Sequence, residues 1–309
     1  QPPLRVPAEG RLGQGLSALP PAGSRLQGGM RITLSLLLVL GCGLGPGRAG
    51  PPTAATAPEG NTIAMRFTPP AGFTRLPVKE GSFAAYLRHL PLCPAGSAVH
   101  LHNGQPKGRQ DVQAAVVDLS VGTRDLQQCA DAVMRLRAEH LYRCGRQDAI
   151  AFSFTNGFRA EWKRWRRGER IRVEGNRCSW TTGAAADSSH DQLLRFLEKV
   201  FTYAGSLSLE RDLRNSAPPP SGPDDLQIGD VFIQGGSPGH AMIVVDAARS
   251  ADGRTALLLA QSYMPAQEVH VVRNLRHPEL GAWFILEGDD RLYTPEWTFD
   301  WRDRLHWAD

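Results

Sequence analysis

Cysteine is scarce in this chain: five stand in 309 residues. No two are spaced C-x-x-C, so a structural zinc site is not signalled. The pattern is also too sparse for a disulfide-stapled mini-domain, and a chain of this length has no need of one. No apolar run reaches the roughly 20 residues that a membrane-spanning helix requires. The sequence shows no internal repeat and none of the standard nucleic-acid motifs. Its formal charge of +4 and pI near 8.9 are only mildly basic, which suits work near anionic envelope polymers rather than nucleic-acid binding. What is present is ordinary for a folded protein. With 41% hydrophobic and 21% charged residues, global disorder is excluded, and one substantial core or two small ones can be buried.

The N-terminal text changes character at Met30. Residues 1–29 are rich in Pro, Gly and Arg and carry no apolar period. Two explanations stand: a start codon set upstream of the true one at Met30, or a disordered tail. Met30-Arg31, the apolar run from Ile32 to Leu44 and the small-residue sequence after it form the n-, h- and processing regions of a secretory signal over 30–50. Val39-Leu40-Gly41-Cys42 resembles a bacterial lipobox, which would make Cys42 the lipidated residue and anchor the mature chain to a membrane. A cut near Ala49 would instead release it. Either way the protein is expected in the bacterial envelope, periplasmic or membrane-anchored. Cys93, Cys129, Cys144 and Cys178 then remain, enough for two disulfides in an oxidising compartment, with three possible connectivities.

Residues 51–62 read as a small-residue linker, and 63–309 as a single domain interrupted at about 150–222 by a helical and basic insertion. Gly81 to Leu90 has the spacing of a short helix, and Ala115 to Leu119 reads as a strand. The strongest helical pattern covers Thr123 to Tyr142. Asp125 with Gln128 gives a capping box at its start, Leu126, Cys129, Ala130, Val133, Leu136, Ala138 and Leu141 fall near one face, and Cys144-Gly145 supplies the stop. A second helix is expected from Ser189 to Tyr203, and 217–224 is a Pro-rich linker. The period then switches. Asp230–Gln234, His240–Ala247, Thr255–Ser262, Glu268–Arg273 and Trp283–Glu287 read as short strands, with Asp252-Gly253 turning a hairpin. Helices first and an antiparallel meander afterwards make the fold class α+β.

One pair of residues carries chemistry. Cys129 lies near the start of the capped helix, where free backbone N–H groups and the helix dipole favour a thiolate and could also hold an oxyanion. The bland reading of the same residue is a small hydrophobe on a buried helix face. His240 opens a strand directly after Gly-Gly-Ser-Pro-Gly, small residues that let a substrate or the cysteine helix come close to the backbone. A helix-start thiol beside a strand-end imidazole is the arrangement of thiol hydrolases. Centring the hairpin turn between Ser250 and Gly253 sets His240 opposite a window of 261–265. Within it Gln261 could hold the outer ring nitrogen. Asp246 is excluded as that group, because six residues of strand put it about 20 Å away.

Gln128-Cys129 at a helix start, Gly229-Asp230-Val231-Phe232-Ile233, and Gly239-His240-Ala241-Met242-Ile243-Val244-Val245 together resemble the CHAP and NlpC-type cell-wall hydrolases. The longer run, adding Asp125 to Glu139 and Ala260-Gln261-Ser262-Tyr263-Met264-Pro265, looks like an uncharacterised family of bacterial lipoproteins near them, over about residues 65–300. The resemblance implies a papain-like fold, Cys129 as nucleophile, His240 as base, Gln261 as the polar third member, Gln128 as oxyanion support and cleavage of peptide bonds in peptidoglycan, with no cofactor. Two departures stand out. The Cys-to-His separation is long, and Ala260 occupies a place that is acidic in many CHAP domains. A catalytically inactive envelope binder with the same fold is therefore the alternative.

Other features have duller explanations beside them. Trp162-Lys163-Arg164-Trp165-Arg166-Arg167 could grip glycan rings through Trp162 and Trp165, or could be a strand edge with its tryptophans packed inside. Tyr263 is a third candidate substrate contact. His100 and His102 alternate like metal ligands but lack a third partner, so no metal is assigned. Asp224-Asp225 reads as a loop signal, and Thr294-Pro295-Glu296-Trp297 as a C-terminal anchoring turn without chemistry.

Overall fold

A computed structural model describes residues 53–222, 225–286 and 291–308. The signal region and Cys42 lie outside the described residues. The architecture is α+β around an open antiparallel sheet of eight strands. Its central path runs β14 (Arg304–Leu305), β7 (Val231–Gln234), β8 (His240–Ser250), β9 (Thr255–Gln261), β10 (His270–Val272) and β2 (Gln113–Val116). At the hairpin end, β1 (Phe73–Arg75) pairs with β8, and β11 (Trp283–Ile285) pairs with β9. Every residue of β9 and the first nine of β8 are buried. This is why both strands read as continuous apolar runs rather than alternating ones. Leu257, Leu258 and Leu259 are fully enclosed, each worth about 1.5–3 kcal/mol in apolar burial.

The hairpin turns at Asp252-Gly253, as its sequence requires; Gly253 takes φ +89°, a conformation open to glycine and strained for other residues. Arg249 faces Thr255 and the register holds to Asp246 opposite Leu258. A bulge then shifts it by one, leaving Ile243 opposite Ala260. Carried on, that register sets Met242 across from Gln261 and His240 across from position 263, inside the expected window.

Among the described residues six helices accompany the sheet: α1 (Ile63–Arg66), α2 (Phe83–Arg88), α3 (Cys129–Arg143), α4 (Trp162–Trp165), α5 (His190–Tyr203) and α6 (Ser206–Ser216). Ser82 and Ser189 cap α2 and α5 through their hydroxyls. Helix α3 packs against β8 and β9, and α2 against β8. The region between α3 and β7 holds two hairpins, β3–β4 (Ala151–Ser153, Arg159–Glu161) and β5–β6 (Arg170–Glu174, Arg177–Thr181), besides α4 to α6. A third, β12–β13 (Arg291–Tyr293, Thr298–Asp300), comes near the C-terminus.

Several expectations are corrected. The described part of 51–62 is no free linker. Ala54 N–H bonds to the Glu279 carbonyl at 3.0 Å, Ala71 N–H to Thr53 at 2.8 Å, and Thr56 bridges Phe67. Docked backbone of this kind is ordered by its bonds whatever its composition. The inserted stretch 150–222 packs into the main core, because Phe152, Trp162, Phe196 and Leu209 share one buried cluster with β8 and β9. Helix α6 was not read from the sequence. Its buried residues are only Ser208, Leu209 and Leu213, a stripe too narrow to stand out in a polar segment. Trp162 to Trp165 forms a helical turn rather than a strand edge.

Candidate active site

Helix α3 starts six residues later than its pattern suggests, and the difference matters for Cys129. The capping residue is Gln128, whose backbone N–H donates to Asp131 Oδ2 at 3.1 Å. The box is therefore Gln128 with Asp131, one turn beyond the expected Asp125 with Gln128. Asp125 serves another purpose: its Oδ1 accepts from the Gln128 side-chain amide at 3.1 Å and from Ala266 N–H at 2.7 Å. This ties the chain after β9 to the helix start. Ser262 reinforces the tie, its hydroxyl lying 3.1 Å from the Gln127 carbonyl and 2.7 Å from that of Gln267. Cys129 consequently occupies the first helical position rather than a place one turn in.

Its sulfur meets the backbone N–H of Ala241, the residue after His240. Tyr263 closes the same corner, feeling the Cys129 thiol and lying 4.8 Å, ring to ring, from His240. Cys129, His240, Gln261 and Tyr263 are thus brought together. Cys129 and Tyr263 are half-buried while His240 is 1% exposed, so the imidazole is sealed. Trp297 and Phe299 complete the enclosure, at 5.3 and 6.0 Å from the imidazole.

The imidazole is held by Gln261, whose Oε1 lies 2.8 Å from His240 Nε2. The Gln261 amide nitrogen is engaged twice, by Glu296 Oε2 at 2.7 Å and by His270 Nε2 at 3.2 Å. Lys107 Nζ in turn donates to the same Glu296 oxygen at 2.7 Å. The acidic residue that Ala260 lacks is supplied here from the C-terminal segment, one amide further from the ring. The turn at 294–297, read from the sequence as an anchor, carries it. Pro295-Glu296-Trp297 has no period or spacing that ties it to a strand 35 residues earlier, and Lys107 and His270 were missed for the same reason.

Burial dominates the protonation of the pair. It pushes the Cys129 thiol up to about 11, against the lowering pull of the Ala241 N–H; buried Asp131 adds to the rise. It pushes His240 down to about 4, with the Gln261 bond and Glu296 opposing and Lys107 adding to the fall. At neutral pH the resting pair is therefore a neutral thiol beside a neutral imidazole.

Other sequence candidates lie elsewhere. Trp162 and Trp165 do not reach the site. Both are buried against Phe196, at 5.8 and 5.7 Å, and Arg170 stacks over Trp165, so neither offers a face to a glycan. Gln128 precedes Cys129 as the helix cap and gives one of its two amide hydrogens to Asp125. Asp246 is held at the bulge by Arg75 and Arg88, each at 2.7 Å. Asp230 is buried beside Arg304 at 3.1 Å, so the Gly229-Asp230 turn ties β7 to β14. His100 faces Glu268 at 3.2 Å. Among the described residues no cluster of three metal-capable side chains occurs, and Cys93, Cys129, Cys144 and Cys178 are all free thiols.

Comparison with known proteins found no match among curated proteins or solved structures. A family model described as Domain of unknown function (4846) matches residues 63–305, a span that takes in Cys129, His240, Gln261 and Glu296. The chain belongs to that family.

Proposed function

We propose that this chain is a papain-like cysteine hydrolase that cleaves an amide bond, and that its substrate is a peptidoglycan peptide met in the bacterial envelope. The observation that carries this reading is a helix-start thiol seated on the backbone N–H of the residue after His240, whose outer ring nitrogen is occupied by Gln261. With Nε2 donating to Gln261 Oε1, the Nδ1 lone pair remains to take the thiol proton. The sulfur attacks the carbonyl carbon as that proton moves to Nδ1. The amide C–N bond breaks, Nδ1 returns the proton to the departing amine, and a thioester remains on Cys129. Water, deprotonated by His240, then releases the acid. The free N–H groups at the start of α3 would supply donors to the oxyanion, with the Gln128 amide as a further one. Because the resting pair is neutral, proton transfer accompanies attack rather than preceding it. The peptidoglycan assignment rests on the resemblance to CHAP and NlpC-type enzymes, and export with a lipid anchor at Cys42 rests on the signal-like segment from Met30 and its lipobox-like end.

The test is digestion of purified muropeptides by the wild-type protein and by Cys129→Ser, with products compared by mass. New fragments from the wild type alone, with an acyl adduct on Cys129, are expected. Identical spectra from the two proteins would sink the reading. A second reading is favoured by the high thiol value: a catalytically inactive envelope binder with the same fold. Iodoacetamide labelling separates the two. Labelling of Cys129 at about pH 7 that slows sharply in His240→Ala supports the enzyme, whose imidazole takes the thiol proton as the sulfur attacks. Labelling that climbs steadily towards about pH 11, indifferent to His240, supports the binder.

A further inference from the structure

Resting on the reading of His240 as base, we propose that Glu296 is a positioning residue which sets the tautomer and basicity of His240 through the Gln261 amide, with Lys107 as its counterweight. His270 is completely buried and stands opposite Gln261 in the β9–β10 register. His270 Nδ1 lies 3.0 Å from the Glu268 carbonyl, which can only accept, so Nδ1 carries the proton and Nε2 is an acceptor. That acceptor faces the Gln261 amide group at 3.2 Å, and the Glu296 carboxylate faces it at 2.7 Å. Two acceptors on one end of an amide demand its two N–H bonds. The other end, Oε1, is thereby turned to His240 and must receive a proton from Nε2 at 2.8 Å. The free lone pair of His240 is fixed at Nδ1 by groups that never touch the ring.

Charge follows the same line. A carboxylate behind the amide polarises it, strengthens Oε1 as an acceptor, and compensates the imidazolium that forms when the thiol proton arrives. Lys107 on the same carboxylate oxygen offsets part of that effect. Around His240 the titratable groups are Glu296 and Lys107, the Cys129 thiol, the Tyr263 phenol and neutral His270. Only the first two carry charge at neutral pH. They act on the ring in opposite directions.

The test uses the full chain with two variants, Glu296→Gln and Lys107→Met. Glu296→Gln keeps the size and removes the charge; Lys107→Met keeps an unbranched side chain and removes the ammonium that lies 5.5 Å from the Tyr263 ring centroid. The His240 ring is titrated by NMR, and the pH profile of Cys129 alkylation is read in parallel. Glu296→Gln is expected to lower the His240 midpoint and Lys107→Met to raise it, each by about one unit, a tenfold change in the protonation ratio. Equal, absent or same-sign shifts would overturn the proposal. Should Glu296→Gln fail to fold, the upward shift in Lys107→Met decides alone. The ring titration needs no substrate, so opposite shifts without muropeptide cleavage would uphold the positioning role and reject the hydrolase. Cleavage by the wild type without the shifts would do the reverse.

Discussion

Buried histidines make this protein sensitive to acid, and the sign follows from two rings. His240 and His270 are both pushed by burial to about 4, against about 6.5 in an unfolded chain. Between those values the unfolded rings take up protons that the native rings refuse. Their contribution is therefore complete above about pH 6.5 and lost as pH falls towards about 4, by up to about 3 kcal/mol for each ring. Asp131 and Asp230, whose carboxyls burial pushes upward, work the other way over part of this range. The clean readout is thus a difference. Urea midpoints for wild type and His270→Asn, measured from about pH 7 to about pH 4.5, should converge as the acid side is approached. Parallel curves would show that His270 is not held neutral. At this scale Cys129, His240 and Gln261 were legible because each belongs to a local signal: a cap, a strand start, a hairpin register. Glu296 and Lys107 were not, since the pair joins positions 189 residues apart on segments with no regular period.

The elements around the site constrain one another most tightly at the loop before β8. A Cβ on Gly239 would lie 2.6 Å from the Gly236 carbonyl oxygen, 2.8 Å from that of Gln234 and 2.5 Å from Ser206 Oγ. On Gly235 it would meet the Glu210 carboxylate and the backbone of Leu207. The small residues therefore admit α6, not the cysteine helix, and α6 braces the loop that presents His240. Gly239→Ala has no flexible neighbour to displace on the backbone side. It should cost about 1–3 kcal/mol of stability by overpacking and a larger fraction of Cys129 reactivity, because the strand start must shift. Thermal melts and alkylation rates on the same preparation would check this; unchanged values of both would refute the bracing role. Helix α3 teaches the same lesson about boundaries. Its apolar face was visible at helical spacing, but which of two acids supplied the cap was decided by Ala266, whose N–H takes Asp125 away from the helix.

Across the whole molecule, the end of the sheet remote from the site is secured by a buried acid with two cations. Asp246, fully buried at the β8 bulge, holds Arg75 of β1 and Arg88 of α2. Arg75 also donates to the carbonyls of Ala64 and Phe67, and Arg88 to that of Leu76, so one carboxylate fastens α1, β1 and α2 to the central strand. Asp246→Ala would strand two guanidinium groups and should destabilise by about 3–5 kcal/mol, read by chemical denaturation. A loss within about 0.5 kcal/mol, the range of ordinary surface changes, would mean that the cluster is not what holds these elements. The sequence by itself determined the class of the fold, the hairpin at Asp252-Gly253, the helices α3 and α5 and the places of Cys129 at a helix start and His240 at a strand start, since each follows from spacing and turn chemistry over short stretches of chain. Only the tertiary structure decided that Asp246 is an anchor, that Trp162 and Trp165 are core, and that Glu296 completes the site. Those roles depend on which distant backbone closes over a side chain, and burial by remote segments leaves no mark on the local pattern.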